Sequence, residues 1–238
     1  MKLNADVGEG VGNDAALFQW IGMANIACGY HAGDLETMTA AVQLAVRYGV
    51  AVGAHPGYRD RDGFGRRSIA HFPGEIKQLI IEQAKALEGI CQREGSRVSY
   101  IKPHGALYHD MMARQDVYEE ILQAVATLPH CPALMIQARQ ENENDQKVAA
   151  RYRVPLLFEA FADRAYTAEG GLQDRQIEGA VFSSQDQMID QVLQLRDQGS
   201  VTTVCGKTLP LKADSVCVHG DNEASIEAAK KLYQILGS

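Results

Sequence analysis

Short apolar runs alternate with longer amphipathic segments along this chain, and no other feature of the sequence constrains the fold as strongly. The runs predicted to be strands are Lys2–Ala5, Asn25–Cys28, Val50–Ala54, Val98–Ile101, Ala133–Ile136, Leu156–Glu159 and Ser215–Val218, with a weaker candidate at Val201–Val204. Between them, apolar residues recur three or four positions apart, as on one face of a helix. The predicted helices are Leu35–Arg47, Glu75–Arg93, Val117–Thr127, Gln185–Leu195 and Ala224–Leu236. Such alternation is typical of βαβ units, so we expect an α/β fold with a parallel sheet in one domain over residues 1–238.

Polar side chains follow the ends of nearly all the predicted strands. In chain order they are Asp6, Glu9, His31, Asp34, His55, His104, Asp163, Arg164, His219 and Asp221. An open sheet gathers ligands mainly at one switch point, whereas a closed barrel collects side chains from many strand ends at one mouth. We therefore predict a (β/α) barrel of seven or eight strands, with the functional site at the carboxyl ends of the strands.

The stretch VAVGAHPGYRD at residues 50–60 shows the pattern at one strand. Its apolar half is typical of a buried parallel strand, and Pro56 and Gly57 end the ladder directly after His55. A single histidine in such a place is ordinarily a turn cap or a structural hydrogen-bonding group. Recurrence after five or six strands favours a common site instead.

Composition excludes several classes of protein. The chain of 238 residues is 46% hydrophobic and carries a formal net charge of −7, with no concentrated run of Lys and Arg. This balance argues against a surface for nucleic acid or for an anionic membrane. No apolar stretch approaches the roughly 20 residues of a membrane span, and the first residues do not resemble a signal peptide. Five scattered cysteines without a CxxC pair fit a reducing compartment, so we expect a cytoplasmic protein.

Six stretches identify a family that the chain resembles. They are LNADVGE at 3–9, NIACGYHAGD at 25–34, VGAHPGY at 52–58, KPHGALY at 102–108, FADRAY at 161–166 and VHGD at 218–221. Together they resemble the LamB/YcsF family over the whole chain. The resemblance implies a seven-stranded barrel of the glycoside hydrolase/deacetylase type. It also implies that the chain opens 5-oxo-L-proline to L-glutamate with ATP hydrolysis, in a complex with the 5-oxoprolinase subunits B and C.

Opening a five-membered lactam requires a general base for water and donors for the developing negative charge. Carboxylates and imidazoles at the strand ends are suited to moving the proton. We therefore expect a catalytic group composed of Asp6, His55, His104, Glu9 and Asp163. We expect the substrate to be bound by Asn4, Asn25, His31, Asp34, Lys102, Arg164, His219 and Asp221.

A divalent metal ion is a second possibility at the same strand ends, since neutral imidazoles with a carboxylate suit zinc. The candidate ligands are Asp6, His31, His55 and His104. Spacing alone does not separate a metal site from hydrogen-bonding histidines. The alternative function is accordingly a metal-dependent amidohydrolase or carbohydrate deacetylase that acts without partners. A third possible function is that of a scaffold, which only binds a metabolite or positions the other subunits of a complex.

The segment GSVTTVCGKT at residues 199–208 resembles a phosphate-binding loop only superficially. It has six residues between its glycines, where a Walker A loop has four. We predict a strand and a hairpin there. ATP is therefore expected to act through the complex, and not through a nucleotide motif in this chain.

Overall fold

A computed structural model of the protein describes residues 1–10, 14–218 and 223–237. Its parallel strands form a closed barrel. Within these ranges the barrel contains seven strands. They are β1 (Lys2–Val7), β2 (Met23–Ala27), β3 (Ala51–His55), β4 (Val98–Ile101), β5 (Ala133–Gln137), β6 (Leu156–Phe161) and β9 (Ser215–Cys217). Neighbours pair in chain order, and β9 closes the barrel between β6 and β1. The predicted α/β barrel is confirmed, with seven strands.

Helices follow the strands along the chain and pack on the outside of the barrel. They are α1 (Asp14–Leu17), α2 (Leu35–Tyr48), α3 (Glu75–Arg93), α4 (Gly105–Ala113), α5 (Gln115–Val125), α6 (Glu143–Tyr152), α7 (Gln185–Gln198) and α8 (Glu223–Leu236). All five predicted helices are confirmed, and α1, α4 and α6 were not predicted. The weaker strand candidate is β7 (Ser200–Thr202), which pairs antiparallel with β8 (Thr208–Pro210) outside the barrel. The Gly-Lys-Thr segment thus belongs to a hairpin.

Local signals fix where the helix behind the second strand begins and ends. Asp34 caps α2: its carboxylate accepts a hydrogen bond from the Thr37 amide, while the Thr37 hydroxyl accepts one from the Asp34 amide. Gly49 ends the helix in the left-handed conformation, with φ of 68°. The chain then turns directly into β3.

The two faces of the barrel strands have different partners. On the outer face, Leu3, Ala5 and Val7 of β1 are fully buried in the apolar layer beneath the helices. Inside, Met23 and Tyr100 pack with Met135 in a separate apolar cluster near the amino ends of the strands. This apolar plug fills the barrel interior below the polar side chains, and the described cavity opens at the carboxyl ends.

One close approach inside the barrel requires glycine. A Cβ atom on Gly53 of β3 would overlap the ring of Tyr100, which lies across the barrel interior. The Tyr100 hydroxyl donates a hydrogen bond of 2.7 Å to Asn25 Oδ1. The apolar plug is therefore tied to the polar layer above it.

No helix among the described residues has the length and the apolar character needed to cross a membrane.

Candidate active site

A cavity of ≈ 470 Å³ opens at the carboxyl ends of the barrel strands. Residues from most of the strand ends line it together with two loops and the start of α4. They are Asp6, Glu9, His55, Phe64, Arg66, Lys102, Pro103, His104, Gly105, Ala106, Tyr108, His109, Phe161, Arg164, Leu172, Gln173, Asp174 and Arg175. The volume lies within the roughly 300–1,000 Å³ typical of small-molecule sites.

One wall of the cavity carries a cluster of one carboxylate and three imidazoles, formed by Glu9, His31, His55 and His104. The potential ligand atoms of these four residues all lie within 4.8 Å of one another. Glu9 Oε1 is 3.3 Å from His104 Nδ1 and 3.5 Å from His31 Nε2. The three histidines are almost completely buried. This Glu–His cluster is the densest group of metal-type ligands among the described residues.

Hydrogen bonds to backbone carbonyls fix the tautomers of two of these rings. His55 Nδ1 lies 2.7 Å from the Lys102 carbonyl oxygen, and His104 Nε2 lies 2.8 Å from that of Phe64. Because a carbonyl oxygen only accepts, both of these nitrogens carry hydrogen. In the neutral rings, the lone pairs of His55 Nε2 and His104 Nδ1 then face each other at 2.9 Å. The arrangement therefore favours a cation between the rings, either a shared proton or a metal ion.

Of the other two members of the cluster, His31 is held neutral and Glu9 is held ionised. Burial lowers the pKa of His31 to about 4 although Glu9 opposes the shift, so this ring is neutral at physiological pH. Burial raises the pKa of Glu9, but the neighbouring His104 and His31 rings outweigh that effect and bring it to about 2. Neither nitrogen of His31 nor Glu9 Oε1 makes a well-formed hydrogen bond within the described chain. Buried polar atoms in this condition require an explanation, and the ability to bind an ion or a substrate group would provide one.

A short loop above the cluster positions these rings. Its tip carries Phe64, a non-glycine residue with positive φ (53°), whose ring contacts both His31 and His104 edge-on. Asp60 and Arg67 form an ion pair across the base of the loop. The loop thus supplies the carbonyl that orients His104 and closes the cluster from above.

The floor of the cavity is a buried ion cluster centred on Lys102. Its ammonium lies 3.0 Å from Asp6 Oδ1 and 2.8 Å from Glu159 Oε1. Although burial opposes the charged form, these carboxylates hold the pKa of Lys102 well above its usual range. Asp6 also accepts a hydrogen bond from Asn25 Nδ2 at 2.8 Å, and its second oxygen lies 3.4 Å from His55 Nε2. Asp6 therefore connects the floor to the Glu–His cluster.

Comparisons with known proteins agree with this architecture. The family model described as the LamB/YcsF family matches residues 1–238. The chain belongs to the LamB/YcsF family. It is 44% identical over 243 aligned residues to a protein of Vibrio vulnificus named as the A subunit of 5-oxoprolinase, with 99% of this chain and 97% of the relative covered. It is 46% identical to a protein of Pseudomonas putida named as the second A subunit of 5-oxoprolinase, with 99% and 93% covered.

A solved structure shares the whole fold of this LamB/YcsF chain. It is the lactam utilization protein of Thermus thermophilus, which superposes with a TM-score of 0.91 at 31% sequence identity and covers 100% of this chain and 97% of its own. The predicted family is thus confirmed. The names of these relatives refer to 5-oxoprolinase and to the use of lactams, which are cyclic amides.

The structure gathers most of the residues predicted for the LamB/YcsF site. Those that meet at the cavity or its His wall are Asp6, Glu9, His31, His55, Lys102, His104 and Arg164. Asn4 and Asn25 lie deeper, hydrogen-bonded to each other and to the ion cluster on the floor. Their position favours support of that cluster over contact with a substrate.

Two further predicted residues do not line the cavity, and two others are not among the described residues. Asp34 is exposed and serves as the cap of α2, and it does not line the cavity. Asp163 is buried next to Arg164 in the chain and is also absent from the lining. His219 and Asp221 lie outside the described residues.

The candidate metal set differs from the predicted one in a single residue. Glu9, not Asp6, groups with the three histidines among the described residues. Asp6 points into the barrel, where Lys102 holds it, whereas Glu9 lies three positions farther along and reaches over the mouth. Three imidazole nitrogens and one carboxylate oxygen suit a divalent ion such as zinc. His31 suits the role of a metal ligand, because it is neutral and its buried nitrogens lack hydrogen bonds within the described chain.

Two residues important to the floor were not singled out from the sequence. Glu159 is fully buried in β6, where it contacts Lys102 and accepts a hydrogen bond of 3.1 Å from the Tyr108 hydroxyl. The signal was present for Glu159, since a charged residue within the apolar run LLFEAF requires a buried partner. Tyr108 occupies an unpredicted helix and gave no comparable signal.

Proposed function

We propose that this chain is the A component of a 5-oxoprolinase, which opens 5-oxo-L-proline to L-glutamate with ATP hydrolysis in a complex with subunits B and C. The observation that carries the proposal is the Glu–His cluster at the mouth of the barrel, which Asp6 joins to the buried ion cluster below. The barrel itself is the fold shared with the lactam utilization protein of Thermus thermophilus. The 44% identical relative, named for 5-oxoprolinase, supports the choice of substrate.

The geometry suits a hydrolysis in which water forms a new bond to the lactam carbonyl carbon and the carbon–nitrogen bond breaks. One proton must leave the water, and one must reach the ring nitrogen. His55 Nε2 lies 3.4 Å from Asp6 Oδ2 and 2.9 Å from His104 Nδ1, so these groups form a continuous path for that proton. We assign proton transfer to His55 and His104, with Asp6 as the carboxylate that stabilises the charged imidazole.

Alternatively, Glu9, His31, His55 and His104 would hold a divalent ion. Both roles would use the same ring nitrogens, so His55 and His104 would transfer the proton only when no ion is bound. When bound, such an ion polarises a carbonyl as a Lewis acid. Lys102 keeps Asp6 ionised and oriented from below. Asp163 stays a candidate for catalysis, since it directly precedes the cavity residue Arg164.

We propose that the partner proteins B and C bind ATP and couple its hydrolysis to the opening of the lactam. The Gly-Lys-Thr segment forms the β7–β8 hairpin outside the barrel, which argues against its use as a phosphate-binding loop. We therefore expect the isolated chain to hydrolyse little or no 5-oxoproline, with or without ATP.

The test is turnover of 5-oxoproline and ATP by the purified chain alone, by B and C together, and by all three. We expect glutamate formation only with all three. As a control substitution in this chain, His71→Ala should keep full turnover, because His71 does not line the cavity and its ring lies within hydrogen-bond distance of the Ile69 carbonyl. Full turnover by B and C without this chain would rule the proposal out. ATP-coupled turnover by this chain alone would refute its dependence on partners.

The Glu–His cluster also favours a second candidate, a metal-dependent amidohydrolase or carbohydrate deacetylase that needs no partner. Metal analysis of the purified chain, before and after chelation, separates the two when turnover is measured on the same samples. The second candidate predicts that the metal-loaded chain alone opens an amide without ATP. The first predicts no such activity, even if one ion is bound per chain.

A further inference from the structure

Apart from the Glu–His cluster and the ion cluster on the floor, basic side chains outnumber acidic ones in the cavity lining. Arg66, His109, Arg164 and Arg175 line the cavity and are called the basic wall here. Asp174 lines it as well. Because the chain as a whole carries a net charge of −7, such a concentration of positive charge is a local feature of the cavity.

Arg164 is the buried arginine of this basic wall. Only 3% of its surface is exposed, and its Nε has no hydrogen-bond partner in the described chain. One terminal nitrogen donates to the Gln173 carbonyl oxygen at 2.6 Å. A buried guanidinium with a free donor at a cavity wall is a position for an anionic ligand group.

The basic groups crowd one another. Burial, and then the positive charge of Arg175, lowers the pKa of Arg164 to about 10. Enclosure by the cavity mouth, and then the charges of Arg164 and Arg175, lowers the pKa of His109. An anion bound between these side chains would relieve that repulsion.

The backbone around Arg164 is held rigidly, as a binding site requires. The side-chain amide of Gln191, buried on α7, donates to the carbonyl oxygens of Phe161, Ala162 and Arg164 at 2.8–3.2 Å. One side chain thus fixes the turn that follows β6. The guanidinium needs no rearrangement of this turn to meet a ligand.

We propose that Arg164 and Arg175 form a subsite for a phosphoryl group, so that this chain takes a lactam phosphorylated on its carbonyl oxygen. Addition of water to the carbonyl carbon and breakage of the ring C–N bond then give an acyl phosphate, and a second water releases inorganic phosphate and glutamate. The inference rests on the proposed function, in which ATP is consumed by the complex. Two guanidinium groups suit a phosphoryl dianion, which accepts paired hydrogen bonds from each. Free 5-oxoproline carries one carboxylate and would leave part of this basic wall and of the ≈ 470 Å³ cavity unused.

The probe for the subsite is inorganic phosphate, titrated into the chelator-treated full-length chain at constant ionic strength and followed by calorimetry. We expect saturable binding that Arg175→Gln weakens at least tenfold, because charge-assisted hydrogen bonds are lost. Arg175→Lys should be intermediate, since it keeps the charge but not the planar fork. Arg164→Gln should act like Arg175→Gln, and the exposed Arg175 keeps the test valid if the Arg164 variant fails to fold.

Two controls separate this subsite from other sources of binding. Arg93→Gln removes an exposed arginine outside the cavity and should leave phosphate affinity unchanged. His55→Ala should also retain phosphate binding, because the proposed phosphate ligands are Arg164 and Arg175 and not the Glu–His cluster. Loss of binding in His55→Ala equal to that in Arg175→Gln would place phosphate on the Glu–His cluster and overturn the proposal.

Other results would also overturn it. Equal phosphate affinity in the wild type and Arg175→Gln, absence of saturable binding, or displacement of phosphate by equimolar acetate would each exclude a phosphoryl subsite, the last in favour of a carboxylate site. The proposed function fails by a different result, namely full turnover by B and C without this chain. The two failures are therefore distinguishable.

Discussion

His31 and His104 stack face to face, with ring centroids 3.8 Å apart and planes inclined by 4°. The two histidines follow different strands, β2 and β4, so the barrel brings them together from positions far apart in the sequence. Gly65 lies against both rings: a Cβ there would be 2.7 Å from His31 Cβ and 2.9 Å from His104 Cδ2. The stack therefore depends on a missing side chain in the loop above.

The first prediction is that Gly65→Ala separates the stacked rings. Gly65 and Gly95 both have positive φ (63° and 72°), but a Cβ on Gly95 would meet nothing within 4 Å. Each substitution should cost about 1–2 kcal/mol for the left-handed backbone, and Gly65→Ala about 1–3 kcal/mol more through overpacking. Thermal unfolding and complex turnover of the two variants check this. Equal stability and equal turnover would show that the stack tolerates the added methyl group.

The second prediction concerns the proton path. Asp6→Asn, His55→Ala and His104→Ala should each reduce turnover by the complex by a factor on the order of a hundred or more, because a general acid or base is lost. Folded protein should remain, as judged by circular dichroism, and His71→Ala should behave like the wild type. If the three variants lose turnover only in proportion to lost folded protein, the groups are structural.

The barrel could be predicted from the sequence because each of its strands and most of its helices have a local sequence pattern. Each strand is a short apolar run, and a polar residue at or just after its end marks the carboxyl end, as His55 does at the end of β3. The helix α4 escaped prediction because its residues are apolar on most sides, which leaves no amphipathic stripe. The helix α6 escaped because its first turn is dominated by polar residues that also suit a loop.

The site was predictable only as far as residue types allow. Histidines at strand ends indicate a common mouth, but the choice of Glu9 over Asp6 in the cluster follows from the pairing of Asp6 with Lys102 in three dimensions. The carbonyl of Phe64, which orients His104, carries no side-chain signal at all. Only the structure therefore shows which backbone carbonyls orient the histidines and which distant charged residues pair with each other.

The third prediction tests the buried ion cluster beneath the cavity. Lys102→Met leaves the carboxylates of Asp6 and Glu159 without their cation, and breaking such a buried pair costs about 3–5 kcal/mol. Glu159→Gln added to Lys102→Met should recover part of that loss, since one unpaired charge is removed. Chemical unfolding of the two single variants and the double variant gives the coupling free energy. Strictly additive effects would mean that Lys102 and Glu159 do not stabilise each other.

The last prediction is that Gln191 positions Arg164 from outside the cavity. Its amide satisfies the carbonyls of Phe161, Ala162 and Arg164, whereas methionine at this position fills similar space without donating hydrogen bonds. Gln191→Met should therefore destabilise the protein by about 1–3 kcal/mol, the usual cost of buried groups left without partners.

Loss of stability alone would not establish positioning, so binding provides the second readout. In folded Gln191→Met we expect phosphate affinity to fall and the KM of the complex for 5-oxoproline to rise more than kcat falls, because the guanidinium is displaced while the Glu–His cluster is untouched. Gln187→Met, on the exposed face of the same helix, should change neither stability nor affinity. A Gln191→Met protein that is less stable but binds phosphate as tightly as the wild type would restrict Gln191 to a structural role.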